Sequence, residues 1–499
     1  MRDKYIELIR EYIKIKPDYK SNLNEIKENV LLVGATEEEF NEALRQTEAQ
    51  NTPKKLKPNY KKVFLDVSES IGNNAITFAN SAKNNLIDKK KYTAGFAILV
   101  IFILFLTQTQ KINLLKKEVP KPTLPKIALN ARNPVPVVYA NTTAIDPDKI
   151  FSIKGKNTIA LTISGKPKKE IMGFFPYWML PTQDKVDLST LTSMSLFGLE
   201  VDNQGNISTK GTDGSDDPGW TMWNDPRLDV LLKNARNNNL KVYLTLKSFN
   251  SDTIEKLATS DEAQKNLIAN ALYLVNSKNL DGINIDFEYL GTPSDTVRSG
   301  FTRLITNLNA ELKRQLPTSV LTVDTYLVSG SENGLFNISL LAPNLDAFVI
   351  MGYDMHTPLG DPGPVSAMGG DTNIIGYVQN YLEKVDASKL ILAVPYYGYD
   401  WPVDTNSPDA VKILPYAEIA QESQNLQLSW DETSETPYFN YTDDNGTKRV
   451  VHFDNVRSLG IKYDFINQKN LRGVGIWALG YDGQNQDLEK LLIDKFIND

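Results

Sequence analysis

Asn284, Asp286 and Glu288 alternate with Ile283, Ile285 and Phe287 in the run Leu280-Asp281-Gly282-Ile283-Asn284-Ile285-Asp286-Phe287-Glu288-Tyr289. On a strand, side chains two apart share a face. Three polar groups, two of them carboxyls, therefore gather on one side, and the apolar set is free to pack on helices. Crowded carboxyls are costly to bury unless charge, proton and hydrogen bonds are managed together. A fold accepts that cost most readily where the acids do chemistry. The competing reading is a solvated strand end that happens to be acidic. Asp281 is out of register with the 284/286/288 face and reads as a structural residue behind it.

Those groups need a scaffold. From about residue 170 onward, apolar runs recur at 171–177, 193–199, 241–246, 282–287, 320–325, 347–351, 390–395 and 473–477. Helical periodicity falls between several of them, as at 263–276 and 301–315. Eight strands alternating with helices over roughly 330 residues predict an α/β fold, a (β/α)8 TIM barrel with insertions. A doubly wound sheet would want a Gly-rich phosphate loop after an early strand, and none appears.

In a barrel the C-terminal ends of the strands meet at one mouth. That brings together Tyr177 and Trp178 from the first strand, Ser248 from the third, and Asn284, Asp286 and Glu288 from the fourth. Met351, Tyr353 and Asp354 come from the sixth, Tyr396, Tyr397 and Trp401 from the seventh, and Trp477 from the eighth. An acidic site walled by aromatics suits a sugar: ring faces stack, while carboxyls and tyrosine hydroxyls bind the polar rim. Glycosidic bond cleavage is the chemistry suggested.

Residues 171–496 resemble glycoside hydrolase family 18, the chitinase-like barrels. The run from Asp281 to Glu288 matches that family's Asp-x-x-Asp-x-Asp-x-Glu signature except at Asn284. Met351-Gly352-Tyr353-Asp354 is similar to its sixth-strand Met-x-Tyr-Asp motif, and Pro395-Tyr396-Tyr397-Gly398-Tyr399 to its seventh-strand Pro-Phe-Tyr-Gly motif. Gly473-Val474-Gly475-Ile476-Trp477 resembles the last strand with its floor tryptophan. Pro362-Gly363-Pro364 and Gly480-Tyr481-Asp482 are similar to bacterial members directed at spore cortex and peptidoglycan.

The resemblance implies substrate-assisted retention, with no metal and no cofactor. Glu288 would be the general acid and then the base, kept neutral by partial burial and the nearby Asp286 charge. The sugar's own 2-acetamido carbonyl would be the nucleophile, with Asp286 holding its N–H and Tyr353 donating to its oxygen. Trp477 would floor the subsite, and Tyr177, Asp354, Tyr397 and Trp401 would contact sugar. Two departures stand out. Asn284 cannot hold a proton, though it can donate a hydrogen bond to Asp286. Leu246-Lys247-Ser248-Phe249-Asn250 lacks the family's usual Gly pair.

Composition narrows the alternatives. With no cysteine, thiol nucleophiles, disulfides and thiolate metal sites are excluded. Two histidines, His356 and His452, argue against a histidine-rich metal site. A formal charge of −7 without a basic domain argues against nucleic acid.

The N-terminal third reads differently. Residues 1–50 predict a small cytoplasmic three-helix module, whose third helix opens on a Thr36–Glu39 capping box. It suits either docking of a cytoplasmic partner or a passive solubilising role. Residues 51–91 form a basic juxtamembrane segment. Residues 92–108 are uncharged and bracketed by Lys89, Lys90, Lys91 and Lys111. At 1.5 Å per residue, 92–107 covers roughly 24 Å of a bilayer core of about 30 Å, which predicts one transmembrane helix. The lysine bias favours a cytoplasmic N-terminus. Residues 109–168 predict a proline-containing stalk, and 169–499 the extracytoplasmic barrel. The leading expectation is a membrane-anchored hydrolase of β-1,4-linked N-acetylglucosamine-containing glycan, in peptidoglycan or chitin. The rivals are a catalytically silent, lectin-like barrel and a scaffold for assembly.

Overall fold

Apolar residues on both faces of the strands require cover on both sides, and the chain provides it by closing the sheet on itself. The computed structural model describes residues 145–155, 161–211, 213–330, 334–358, 360–403 and 411–498. In chain order the strands begin with β1 (Glu170–Pro176), β2 (Ser193–Glu200), β3 (Lys241–Ser248) and β4 (Gly282–Phe287). There follow β5 (Val320–Tyr326), β6 (Ala347–Met351) and β7 (Leu390–Pro395). Five more intervene, β8 (Tyr397–Pro402), β9 (Lys412–Pro415), β10 (Ser429–Asp431), β11 (Thr436–Thr442) and β12 (Lys448–His452), before β13 (Gly473–Trp477). Strands β1 to β7 and β13 close into a parallel barrel in sequential order, β13 pairing with both β7 and β1.

The alternation on β4 works as expected. Ile283, Ile285 and Phe287 join the large core beneath the helices, with the Phe287 ring 6.3 Å from Phe301 of helix Asp295–Gln315. That helix begins earlier than its apolar period, because Ser294 caps it by accepting from the Val297 N–H. The helix expected at 263–276 runs Asp261–Lys278, capped by Ser260 and closed by Asn279 at φ 50°. Inside the barrel, Met172, Phe174, Tyr243, Val320, Ala347, Val349, Ile391 and Ala393 form a second, smaller core. Below it, Glu170 accepts from Ser193 Oγ at 2.8 Å and from Arg472 Nε at 2.6 Å. The lower end is thus filled, and the polar site is confined to the upper end.

Strands β8 to β12 form a separate antiparallel sheet in the order β10-β11-β12-β8-β9. It has its own core of Leu414, Ile419, Phe439, Val451 and Phe453. The buried Arg449 binds Asp400 Oδ1 at 2.8 Å, tying β12 to β8.

The end of the expected stalk is corrected. Helix Pro147–Ser152, capped by Asp146, buries Ile150 and Phe151 in the main core beside Ile145 and Ile153. Fully burying such a side chain is worth about 1.5–3 kcal/mol, so these residues belong to the barrel unit rather than to a free tether. Ser164 likewise bonds Asn498 at 3.0 Å. The expected three-helix module (1–50), basic segment (51–91) and membrane helix (92–108) lie outside the described residues. Among the described residues, no helix is long and apolar enough to cross a membrane.

Candidate active site

The inward face of β4 meets polar partners on both neighbouring strands. Thr245 on β3 and Thr322 on β5 are the register partners of Asn284. Thr322 Oγ1 donates to Asn284 Oδ1 at 2.6 Å, and Ser195 of β2 bonds Thr245 at 2.7 Å. The Asn284 amide donates to Asp324 Oδ2 at 2.7 Å and, more weakly, to Thr245 Oγ1 at 3.4 Å. The expected bond from Asn284 to Asp286 is therefore corrected: the register places a carboxyl of β5 in the amide's path.

Asp286 is 4% exposed, and its Oδ1 accepts no hydrogen bond among the described residues. Burial pushes its carboxyl well above the usual carboxylate range, and the charges of Asp324 and Glu200 push the same way against Lys247. Lys247 is the register partner of Asp286 on β3 and forms an ion pair with Glu200 of β2. A charged pair thus occupies part of the strand where the expected Gly pair is missing. Burial likewise pushes Asp324 up, partly offset by the bond from Asn284.

Glu288 leaves the end of β4, its N–H donating to the Ser248 carbonyl at 2.9 Å. Its side chain is buried and lines a cavity of about 280 Å³ with Phe249, Tyr326, Met351, Tyr353, Asp354 and Met355. Burial, then the charges of Asp324, Asp286, Asp354 and Glu288, hold the Tyr353 phenol well above its ordinary value. Tyr353 is therefore a protonated donor surrounded by the acids. Asp354 takes φ 58°, a left-handed conformation that Asp tolerates better than most residues. It accepts from Tyr397 Oη and, at 2.7 Å, from Tyr399 Oη. Tyr397 also stacks edge-on to Tyr353, with ring centroids 6.1 Å apart. Trp477, at the end of β13, packs on Phe197, Phe174 and Trp178 with centroids 4.6, 5.8 and 6.2 Å away.

The structure thus brings Asn284, Asp286, Glu288, Tyr353, Asp354 and Tyr397 together and sets Trp477 among aromatics at the end of its strand. Two expected positions differ, those of Tyr177 and Trp401. Tyr177 opens the helical turn Tyr177–Lys185 instead of ending β1, and it lines a second cavity of about 360 Å³ with Trp178, Asp216 and Arg227. Trp401 is buried in β8 between Tyr399 and His452, because the chain turns into the antiparallel sheet after Tyr396. Asp281 precedes β4, at the end of the strand away from Glu288, where its Oδ2 accepts from the Val242 N–H at 2.8 Å. Asp324, Lys247, Glu200 and Tyr326 were not anticipated. Asp324 had a signal: a carboxyl inside an apolar strand run, two residues after Thr322.

A barrel with this acidic strand is matched over residues 170–482 by the family Glycosyl hydrolases family 18. The chain belongs to that family. Membership makes it a glycosidase. A cortical fragment-lytic enzyme of Bacillus subtilis is 27% identical to this family 18 chain over 251 residues, 49% of this chain and 57% of that one. The chain therefore spans little more than half of that relative. Human di-N-acetylchitobiase is 27% identical over 262 residues, 46% of this chain and 68% of that one. The spore cortex-lytic enzyme SleL of Bacillus megaterium QM B1551 shares the fold with a TM-score of 0.54 at 21% identity, over 69% of this chain and 79% of that one.

Proposed function

We propose that this family 18 glycosidase hydrolyses β-1,4-linked, N-acetylglucosamine-containing glycan, with wall peptidoglycan or spore-type cortex ahead of chitin, by substrate-assisted retention. The reading also holds it at a membrane through residues 92–108, with the barrel outside. The observation that carries the chemistry is that Glu288 and Tyr353 line one cavity, with the buried Asp286 near enough for its charge to act on the Tyr353 phenol. Relatives named for cortical fragments and for chitobiose support an N-acetylated substrate.

Glu288 protonates the bridging oxygen as the bond breaks, while the 2-acetamido carbonyl closes on the anomeric carbon from the other side. Asp286, beneath, binds the acetamido N–H and offsets the positive charge of the oxazolinium. The Tyr353 hydroxyl donates to the attacking carbonyl oxygen, which fixes it for in-line approach. Glu288, now ionised, takes a proton from water, which opens the oxazolinium with retained configuration. Trp477 offers its face to the sugar ring at this subsite.

The test compares wild type with Glu288→Gln on labelled N-acetylchito-oligosaccharides and wall glycan. The expected loss of kcat is about 10²–10⁴-fold, with binding retained. Cleavage that survives the substitution removes Glu288 from its role. Binding without cleavage by wild type supports the lectin-like reading instead.

A further inference from the structure

Asp286 and Asp324 lie on adjacent strands inside the barrel, and the mechanism above uses only Asp286. Asp286 and Asp324 are each 4% exposed. Asn284 and Thr322 are register partners, and the two acids stand two residues beyond them on the same inward face of adjacent strands. Asn284 grips Asp324 Oδ2 at 2.7 Å. That leaves Asp324 Oδ1, like Asp286 Oδ1, buried and without a hydrogen-bonding partner among the described residues. Asn284 is itself held by Thr322, so it orients a carboxyl, but an amide cannot take up a proton from one. Two carboxyls in one desolvated space do not both ionise cheaply.

We propose that Asp286 and Asp324 hold one proton between them, and that Asp324 is the positioning residue that receives it when Asp286 turns to the substrate. The O–H bond of Asp286 breaks and an O–H bond forms on Asp324 Oδ1. The pair keeps a single negative charge throughout, and no other reactant enters. Asp286 is then ionised while positive charge develops on the sugar, and it regains the proton as that charge disperses. The groups facing the pair are Lys247 on β3, Glu200 on β2, Glu288 after β4, Tyr326 on β5 and Tyr353 after β6. Lys247 and Glu200 largely cancel each other as an ion pair, which leaves Asp324 the principal charge acting on Asp286. The catalytic consequence rests on the hydrolase reading; the shared proton does not.

Full-length wild type, Asp324→Asn and Asp286→Asn are titrated by difference infrared spectroscopy of the carboxyl C=O stretch. In wild type the pair should contribute one carboxyl band that stays protonated at neutral pH, recognised as the band that both variants lose, and in each variant the remaining acid should titrate at lower pH. An unchanged titration of the remaining acid overturns the proposal, and either variant alone suffices if the other fails to fold. On N-acetylchito-oligosaccharide, Asp324→Asn should lose about tenfold or more in kcat with KM within about threefold, its acid limb moving to lower pH. Asn284→Asp/Asp324→Asn should recover most of that loss by returning a carboxyl to the same layer. Equal kcat and pH profile in wild type and Asp324→Asn overturn the exchange. Absence of cleavage by wild type defeats the hydrolase reading alone, and the infrared titration still decides whether the proton is shared.

Discussion

Tyr353 is kept protonated first by burial and then by the charges of four acidic neighbours, Asp324, Asp286, Asp354 and Glu288. A donor that cannot ionise holds the acetamido carbonyl oxygen in line with the anomeric carbon, so its contribution is one of positioning. Tyr353→Phe should therefore lower kcat by about 10²-fold on N-acetylated oligosaccharide and change KM much less. Steady-state kinetics decide it, and a wild-type kcat in the variant removes the hydroxyl from the reaction. The residues that a single strand could display were readable from the sequence: period-2 spacing alone places 284, 286 and 288 on one face. Asp324 was not, because its meeting with Asn284 depends on how β5 registers against β4. Trp401 shows the opposite error. A tryptophan near the end of an apolar run was read as a cavity wall, but the chain had already entered another sheet.

Helix Asp487–Leu492 presents Glu489 to the segment after the turn Tyr177–Lys185. Its carboxyl accepts from Ser189 Oγ at 3.1 Å and is 9% exposed. Burial first, then the charge of Asp187, push it up to about 8, against about 4.3 for an unperturbed glutamate. Asp482, nearby in sequence, is pushed up by burial to about 7. In both cases the folded chain binds the proton more tightly than the unfolded chain. Their contribution to stability is complete below about pH 4 and is lost as pH rises through about 7 and 8. The melting temperature should therefore fall between roughly pH 5 and pH 9, and Glu489→Gln should flatten that fall by a few degrees. Calorimetry at several pH values tests it; parallel curves would clear Glu489 of the effect.

Elements of this kind were legible to different degrees. All eight barrel strands lie within two residues of their apolar runs, because burial on both faces keeps each segment rich in apolar residues, interrupted where polar side chains such as Asn284 and Asp286 face into the barrel. The β8–β12 sheet was foreseen only as an unspecified insertion. β11 is half-exposed and mixes aromatic with polar residues, so its alternation is weak. A turn signal was present at Asp443-Asp444-Asn445-Gly446-Thr447, where Gly446 takes φ 85° and the Asp443 N–H bonds Thr447 O at 3.0 Å.

For the whole molecule, the glycan reading and the apolar run at 92–108 constrain each other. A wall polymer lies outside the membrane, so a barrel that cleaves it must be on the same side. The lysines at 89–91 favour retention of the N-terminal flank in the cytoplasm. On the proposed reading, the leucine, isoleucine, valine and phenylalanine residues at 98–106 each gain about 0.3–0.6 kcal/mol on insertion at the bilayer centre, which favours a membrane position. Full-length protein should therefore remain in the membrane pellet after an alkaline wash, and deletion of 92–108 should move it to the supernatant with the barrel still folded. Protease added to intact, wall-stripped cells should remove an epitope placed after residue 498 and spare one placed before residue 50. Protection of both epitopes would put the barrel in the cytoplasm, away from any wall polymer. The substrate would then have to be a soluble N-acetylated fragment rather than the wall itself, and activity on short oligosaccharides should exceed activity on intact glycan.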